Sequence, residues 1–289
     1  MQETDQRKRD DTAKMTFWEH LDELRKVIFK SLIAVVVVMV AVFFAKEILF
    51  KIVLAPLDSN FALYKCFNAF LGLVKLPPIP DFDISLININ VTAQFFIHMR
   101  MAMDFALVIT APFIFYELWT FIRPALYPKE IKAVKKSFGF AALLFYVGVL
   151  VGYYVIFPLT LRFLGTYQVS SDVPNTLSLN SYIDMFVGMI MIMGIIFEMP
   201  CLAALLSRFG IIDKQMMKKY RKYAAVILMI VAAIITPSGD AVTLLFVFLP
   251  LYMLYELSIC VCRSKPKEEV EDEVKEDETS GEALQKLKN

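Results

Sequence analysis

The stretch FWEHLDELRKVIFKSLIAVVVVMVAVFFAKEILF, residues 17–50, passes from a charged decapeptide into an apolar run long enough to cross a bilayer. Its first ten residues hold Glu19, Asp22 and Glu23 beside Arg25 and Lys26. From Val27 onward the residues are almost wholly apolar, with Lys30 and Ser31 the early exceptions. Polar residues precede this run from the start of the chain and no small-residue cleavage site follows it, so it reads as a retained span.

The pattern repeats along the 289 residues. The chain is 58% hydrophobic with a mean hydropathy of +0.58, an average that polytopic membrane proteins sustain and soluble domains rarely do. Six apolar segments are long enough to consider as spans: 27–50, 101–122, 138–160, 182–207, 222–236 and 241–260. The fifth reaches only about 22 Å at 1.5 Å per residue. Pro250 is expected to break the sixth, and TPSGD (236–240) to turn tightly between the two. Lys and Arg number seven in 1–30, three in 51–93, five in 123–137, one in 161–181, six in 208–222, none in 237–240 and six from 263 onward. This strict alternation places both termini in the cytoplasm.

Segment 51–93 lies outside, and its SLININV (85–91) alternates as a short strand or hairpin does. The tail 263–289 carries nine acidic and six basic side chains and is expected to be disordered. The domain reading is thus an amphipathic cytoplasmic segment (1–26), a six-span domain (27–260) and a charged tail (261–289). Cys66, Cys201, Cys260 and Cys262 form neither a disulfide framework nor a metal site. No cofactor or metal is expected, and nothing calls for nucleic acid.

Thr16 and Glu19 fit a capping box opening a helix. Phe17, Leu21, Leu24 and Ile28 then form one apolar stripe able to lie on a membrane surface, with Glu23 off it. Spacing alone favours a solvated helix face, with Asp22 and Lys26 paired at i, i+4. A second edge, FYELWTFIRPALYPKEIKAVKK (115–136), sets aromatic residues at interfacial depth and a fixed corner at Pro124 and Pro128. Glu130 is the one acid among Arg123, Lys129, Lys132, Lys135 and Lys136.

HLDELR (20–25), FIRPALYPKE (121–130), GIIFEMP (194–200) and ITPSGD…FLPLYMLYE (235–256) resemble, in order, the signature blocks of the TatC family, the polytopic subunit of the twin-arginine protein translocase. The likeness runs from about residue 16 to 260. It implies an all-α integral membrane protein of six transmembrane helices, both termini inside, with short fifth and sixth spans in a concave arrangement. It also implies a receptor for Arg-Arg signal peptides of folded cargo at the cytoplasmic face of a bacterial inner membrane. Carried over by motif position, the receptor residues are Glu23, Arg25, Phe121 and Glu130. A fixed carboxylate suits the task, because a planar guanidinium offers a fork of donors that a carboxylate accepts two at a time. The resemblance further implies partner contacts at Glu198 and Thr243, and shape-giving positions at Pro56, Pro124 and Asp240. The implied partners are TatA- and TatB-type single-span subunits in an oligomeric complex within the lipid bilayer, driven by the proton gradient and not by an enzyme's chemistry.

Glu198 falls inside the fourth span, where an ionisable residue is costly and marks function or a partner. Glu117 stands where the family pattern has a neutral amide more often, and is expected to snorkel or pair. Leu244 stands where many relatives carry Gln, with Thr243 beside it. A solute transporter or channel is the alternative reading, though paired discontinuous helices are missing. An intramembrane protease lacks its parts: the two histidines, His20 and His98, make no zinc motif, and there is no nucleophile elbow.

Overall fold

The structure, a computed structural model, describes residues 17–73, 85–125, 131–167, 176–236 and 241–262. Glu130, Asp240, Thr16 and the charged tail lie outside the described residues. Helix α1 (Phe17–Phe44) is continuous. Nothing around Lys26 and Val27 breaks a helix, so the decapeptide and the apolar run after it form one continuous helix. A kink at Ala45 leads to α2 (Lys46–Leu54), a 3₁₀ turn (Ala55–Leu57) and α3 (Ala62–Leu73). Then come β1 (Leu86–Ile87), α4 (Ala93–Ile122) and a 3₁₀ turn at Arg123–Ala125. Helix α5 (Ile131–Val151) runs through a π turn (Gly152–Ile156) into α6 (Phe157–Thr166). After β2 (Leu177–Ser178) follow α7 (Leu179–Ile196), α8 (Met199–Arg208), α9 (Lys214–Lys219), α10 (Arg221–Ile235) and α11 (Ala241–Val261).

Neighbouring long helices run antiparallel, as side-chain pairs along their seams record. His20 meets Phe121 at one end of α1–α4, and Phe43 stacks on His98 at the other. Trp119 packs on Phe138 between α4 and α5. Phe157 packs on Tyr182 between α6 and α7. The core centres on α7, where Tyr182, Ile183, Met189 and Met193 are almost fully buried.

Five helical runs among the described residues are long and apolar enough to cross a bilayer: Trp18–Phe44, Ala93–Ile122, Val134–Thr166, Leu179–Arg208 and Ala241–Val261. Their outer faces are apolar too. Along α1, Ile28, Leu32, Ile33, Val36, Val37 and Val40 are all exposed while Val27 and Val35 pack inward. Helices apolar all round, the outer ones with many apolar side chains uncovered, fit a hydrocarbon solvent and not water. Helix α10 has 15 residues, about 22 Å, and is the short one. Helix α11 corrects the expectation of a short, broken sixth span: its 21 residues run unbroken through Pro250, about 31 Å. A proline there forfeits one backbone bond, a loss that surrounding helices can absorb.

Two other prolines show how the loss is made good. Pro112, inside α4, cannot donate to the Val108 carbonyl, and the Tyr146 hydroxyl of α5 donates to it at 3.0 Å. Pro56 ends α2 and frees the Ile52 carbonyl, which accepts from the Tyr153 hydroxyl at 2.8 Å. The adjoining Val53 carbonyl accepts from Tyr182 at 2.6 Å. Pro56 itself is buried, and its carbonyl and that of Pro158 accept from Tyr64, 3.4 and 3.0 Å away. Burial pushes the Tyr64 phenol up to about 12, so it remains a donor across the physiological range. Tyr146→Phe is expected to lower stability by about 1 kcal/mol through the orphaned carbonyl. The same change in a Pro112→Ala background, where the backbone N–H is restored, should cost less. Thermal unfolding in detergent compares the two.

The alternating SLININV does form a strand, but not a hairpin: Leu86 and Ile87 pair in parallel with Leu177 and Ser178. Ser178 then caps α7, its hydroxyl accepting from the Ser181 N–H at 3.2 Å. This bridge ties the segment before α4 to the segment before α7. Arg100 of α4 adds an ion pair to Asp184 of α7, with Asp104 at 3.9 Å from its Nε.

Candidate functional site

At the end of the bundle where α1 begins and α4 finishes, the two quoted sequence blocks meet. The His20 ring stacks on Phe121 with centroids 4.2 Å apart and an interplanar angle of 18°. One turn further along α1, Glu23 Oε1 accepts from Lys26 Nζ at 2.7 Å, in place of the expected Asp22–Lys26 pair. The Glu23 side chain is 35% exposed. Arg25 is exposed, its guanidinium 5.8 Å from the Phe29 ring centroid. Pro124 is exposed and sits in the 3₁₀ turn that ends α4. Lys26 engages one oxygen of Glu23 as a point charge, whereas a guanidinium can grip both.

Deeper along the same seam, Lys30 of α1 reaches Glu117 of α4 at 3.5 Å. The expected snorkelling is done by the base: Glu117 is buried, its side chain 7% exposed against 59% for Lys30. Glu117 and Phe121 are four residues apart on α4 and share the face that α1 covers.

Glu198 lies where the fourth span breaks. Pro200 cannot donate to the Ile196 carbonyl, so α7 stops there and α8 restarts at Met199, leaving Glu198 at the N-cap. The residue is buried, and its Oε1 has no hydrogen-bond partner among the described residues. Thr243 is fully buried in α11, while Val242, Leu245 and Leu249 face outward. The structure therefore brings Glu23, Arg25 and Phe121 to one end, and places Glu198 and Thr243 inside the helical pack. Cys262 is buried, with its thiol 3.6 Å from the Ala203 carbonyl oxygen, whereas Cys260 is exposed.

The model of the family described as Sec-independent protein translocase protein (TatC) matches residues 19–250. The chain belongs to the TatC family. A TatC protein of Blattabacterium is 33% identical over 253 residues, 86% of this chain and 94% of the relative. One from Carboxydothermus hydrogenoformans is 30% identical, covering 88% and 96%. The crystal structure of a twin arginine translocase receptor TatC in DDM superposes with a TM-score of 0.68 at 30% identity, covering 84% of this chain and 99% of that one.

This TatC chain is accordingly a multi-pass membrane protein and a component of the Sec-independent protein translocase. Two contributors to its α1–α4 edge were missed as a set by sequence reasoning, His20 and Lys30. Both stand in or beside the quoted HLDELR block, yet their partners lie about ninety to a hundred residues on. Helix periodicity says which face they occupy, not what covers it.

Proposed function

We propose that the end of the α1–α4 seam is the receptor for Arg-Arg signal peptides, with Glu23 as the guanidinium acceptor and Phe121 as its aromatic floor. Glu130 supplies the second carboxylate and Arg25 keeps the site from accepting any cation indiscriminately. The observation that carries the reading is the His20–Phe121 stack, which holds the acid-bearing start of α1 against the end of α4. The protein crosses the inner membrane six times with both termini in the cytoplasm, α10 being the short span. That orientation rests on the alternation of Lys and Arg between spans. TatA- and TatB-type single-span subunits dock along the later spans, where α11 offers Val242, Leu245 and Leu249 outward with Thr243 just behind them, and Glu198 acts at the break between α7 and α8. The oligomeric assembly moves folded cargo at the expense of the proton gradient.

Crosslinking an Arg-Arg signal peptide to the purified protein in detergent tests the receptor. Glu23→Ala or Glu130→Ala is expected to cut adduct yield about tenfold or more, the scale of a lost charged hydrogen bond. A Lys-Lys peptide should give little adduct with wild type. Undiminished crosslinking in the double mutant would remove both carboxylates from the site.

A further inference from the structure

Four charged side chains follow one line from the receptor edge into the seam: Glu23, Lys26 and Lys30 on α1, then Glu117 on α4. Glu23 and Lys30 are seven residues apart, two helical turns, and so share one face. Lys26 bonds to Glu23, and Lys30 lies one turn beyond Lys26 on the same helix. At its other end Lys30 lies 3.5 Å from Glu117, whose Oε2 accepts no hydrogen bond from the described residues. Among the described residues this one ammonium compensates the buried acid; it is 59% exposed, sits on a flexible stem, and follows Glu23 by two turns on the same helix.

We propose that Glu117 is a specificity-determining positioning residue, which holds Lys30 over the α1–α4 seam and thereby keeps a second ammonium off Glu23. The inference rests on the receptor reading above. Glu117 touches no peptide. Its effect is on the competition at Glu23, where an incoming guanidinium displaces Lys26 alone when Lys30 is retained by Glu117. Without the buried acid, Lys30 turns to the remaining anion on its face, and the guanidinium must displace two bases. A carboxylate already neutralised twice also discriminates less well between Arg and Lys, because its second oxygen is no longer open to the fork of donors.

The test titrates a fluorescent Arg-Arg signal peptide onto the full chain in detergent, at low salt. Glu117→Gln, which keeps the shape and removes the charge, is expected to weaken binding about two- to fivefold, the range of an exposed ion-pair competition. Adding Lys30→Met to it should restore binding to near wild type. A merely mechanical tether would not be rescued, since the double variant lacks the tether altogether. Wild-type binding by Glu117→Gln, or a double variant as weak as the single, overturns the inference. Should Glu117→Gln fail to fold, Lys30→Gln gives the answer from the other side. It binds at least as well as wild type if Lys30 competes for Glu23, and worse if the pair only braces the helices. Glu23→Ala separates the two levels. Its retention of peptide sinks the receptor reading, whereas its loss of peptide with Glu117→Gln unaffected sinks only the role of Glu117.

Discussion

Gly148→Leu is expected to prevent this protein from assembling its central helix pair. A Cβ at residue 148 would lie 2.6 Å from the Met193 carbonyl oxygen and 2.7 Å from the Phe197 Cβ, atoms that have no rotamer through which to retreat. The same seam continues at Gly152, where a Cβ would meet the Ile190 Cα at 3.1 Å, and at Gly194, where it would meet Phe145 at 2.9 Å. Small residues let helix backbones approach closely, which is the main source of helix association where lipid replaces water. Even Gly148→Ala forces α5 and α7 apart, at a cost of about 1–3 kcal/mol for overpacking, and leucine adds three further heavy atoms at the same place. Size-exclusion profiles and thermal unfolding in detergent read the effect. Gly139→Ala and Gly188→Ala are the controls: a Cβ meets nothing within 4 Å at either, so both should be neutral or stabilising by up to about 1 kcal/mol from helix propensity. Unaltered stability of Gly148→Ala would mean that the seam is looser than its geometry.

How far each part of this architecture was legible depends on the range of the interaction that decides it. The existence and type of the spans follow from local composition, so five of them emerge with shifted edges, and α10 emerges short as expected. The edges moved because the helices extend past the apolar runs that announce them. Helix α4 starts at Ala93 and α5 at Ile131, where polar residues continue a helix that hydropathy alone ends sooner. Proline was read wrongly as a breaker at Pro250, and the groups that stand in for the lost donors at Pro112 and Pro56, Tyr146 and Tyr153, cannot be assigned that duty from sequence. Likewise SLININV announced a strand but not its partner, which lies ninety residues on. Glu23 and Phe121 were named from their motif blocks, and the structure sets both at one end of the α1–α4 seam. The Lys30–Glu117 pair was not, because the sequence states that a buried acid needs a partner without stating which of many bases provides it.

Arg100→Met should cost about 1–2 kcal/mol, more than an ordinary exposed pair, because Arg100 and Asp184 are exposed but Asp104 beside them is largely buried. Arg100 bonds to Asp184 across α4 and α7 and lies 3.9 Å from Asp104, whose side chain is only 13% exposed. Among the described residues one cation therefore serves two carboxylates, and its loss strands the largely buried Asp104 in particular. Arg100→Lys keeps the charge but not the fork of donors, so it should fall between wild type and Met. The decisive comparison is Arg100→Met combined with Asp104→Leu and Asp184→Asn. If the penalty comes from stranded charge, this variant regains most of the lost stability, for no charge is left to strand, and only the α4–α7 cross-link is missing. If the penalty comes instead from the guanidinium's packing and its bracing of the β1–β2 end of the bundle, the triple variant stays as unstable as the single. Arg100→Met matching wild type would show that water already solvates the cluster, which would place this stretch of α4 outside the hydrocarbon.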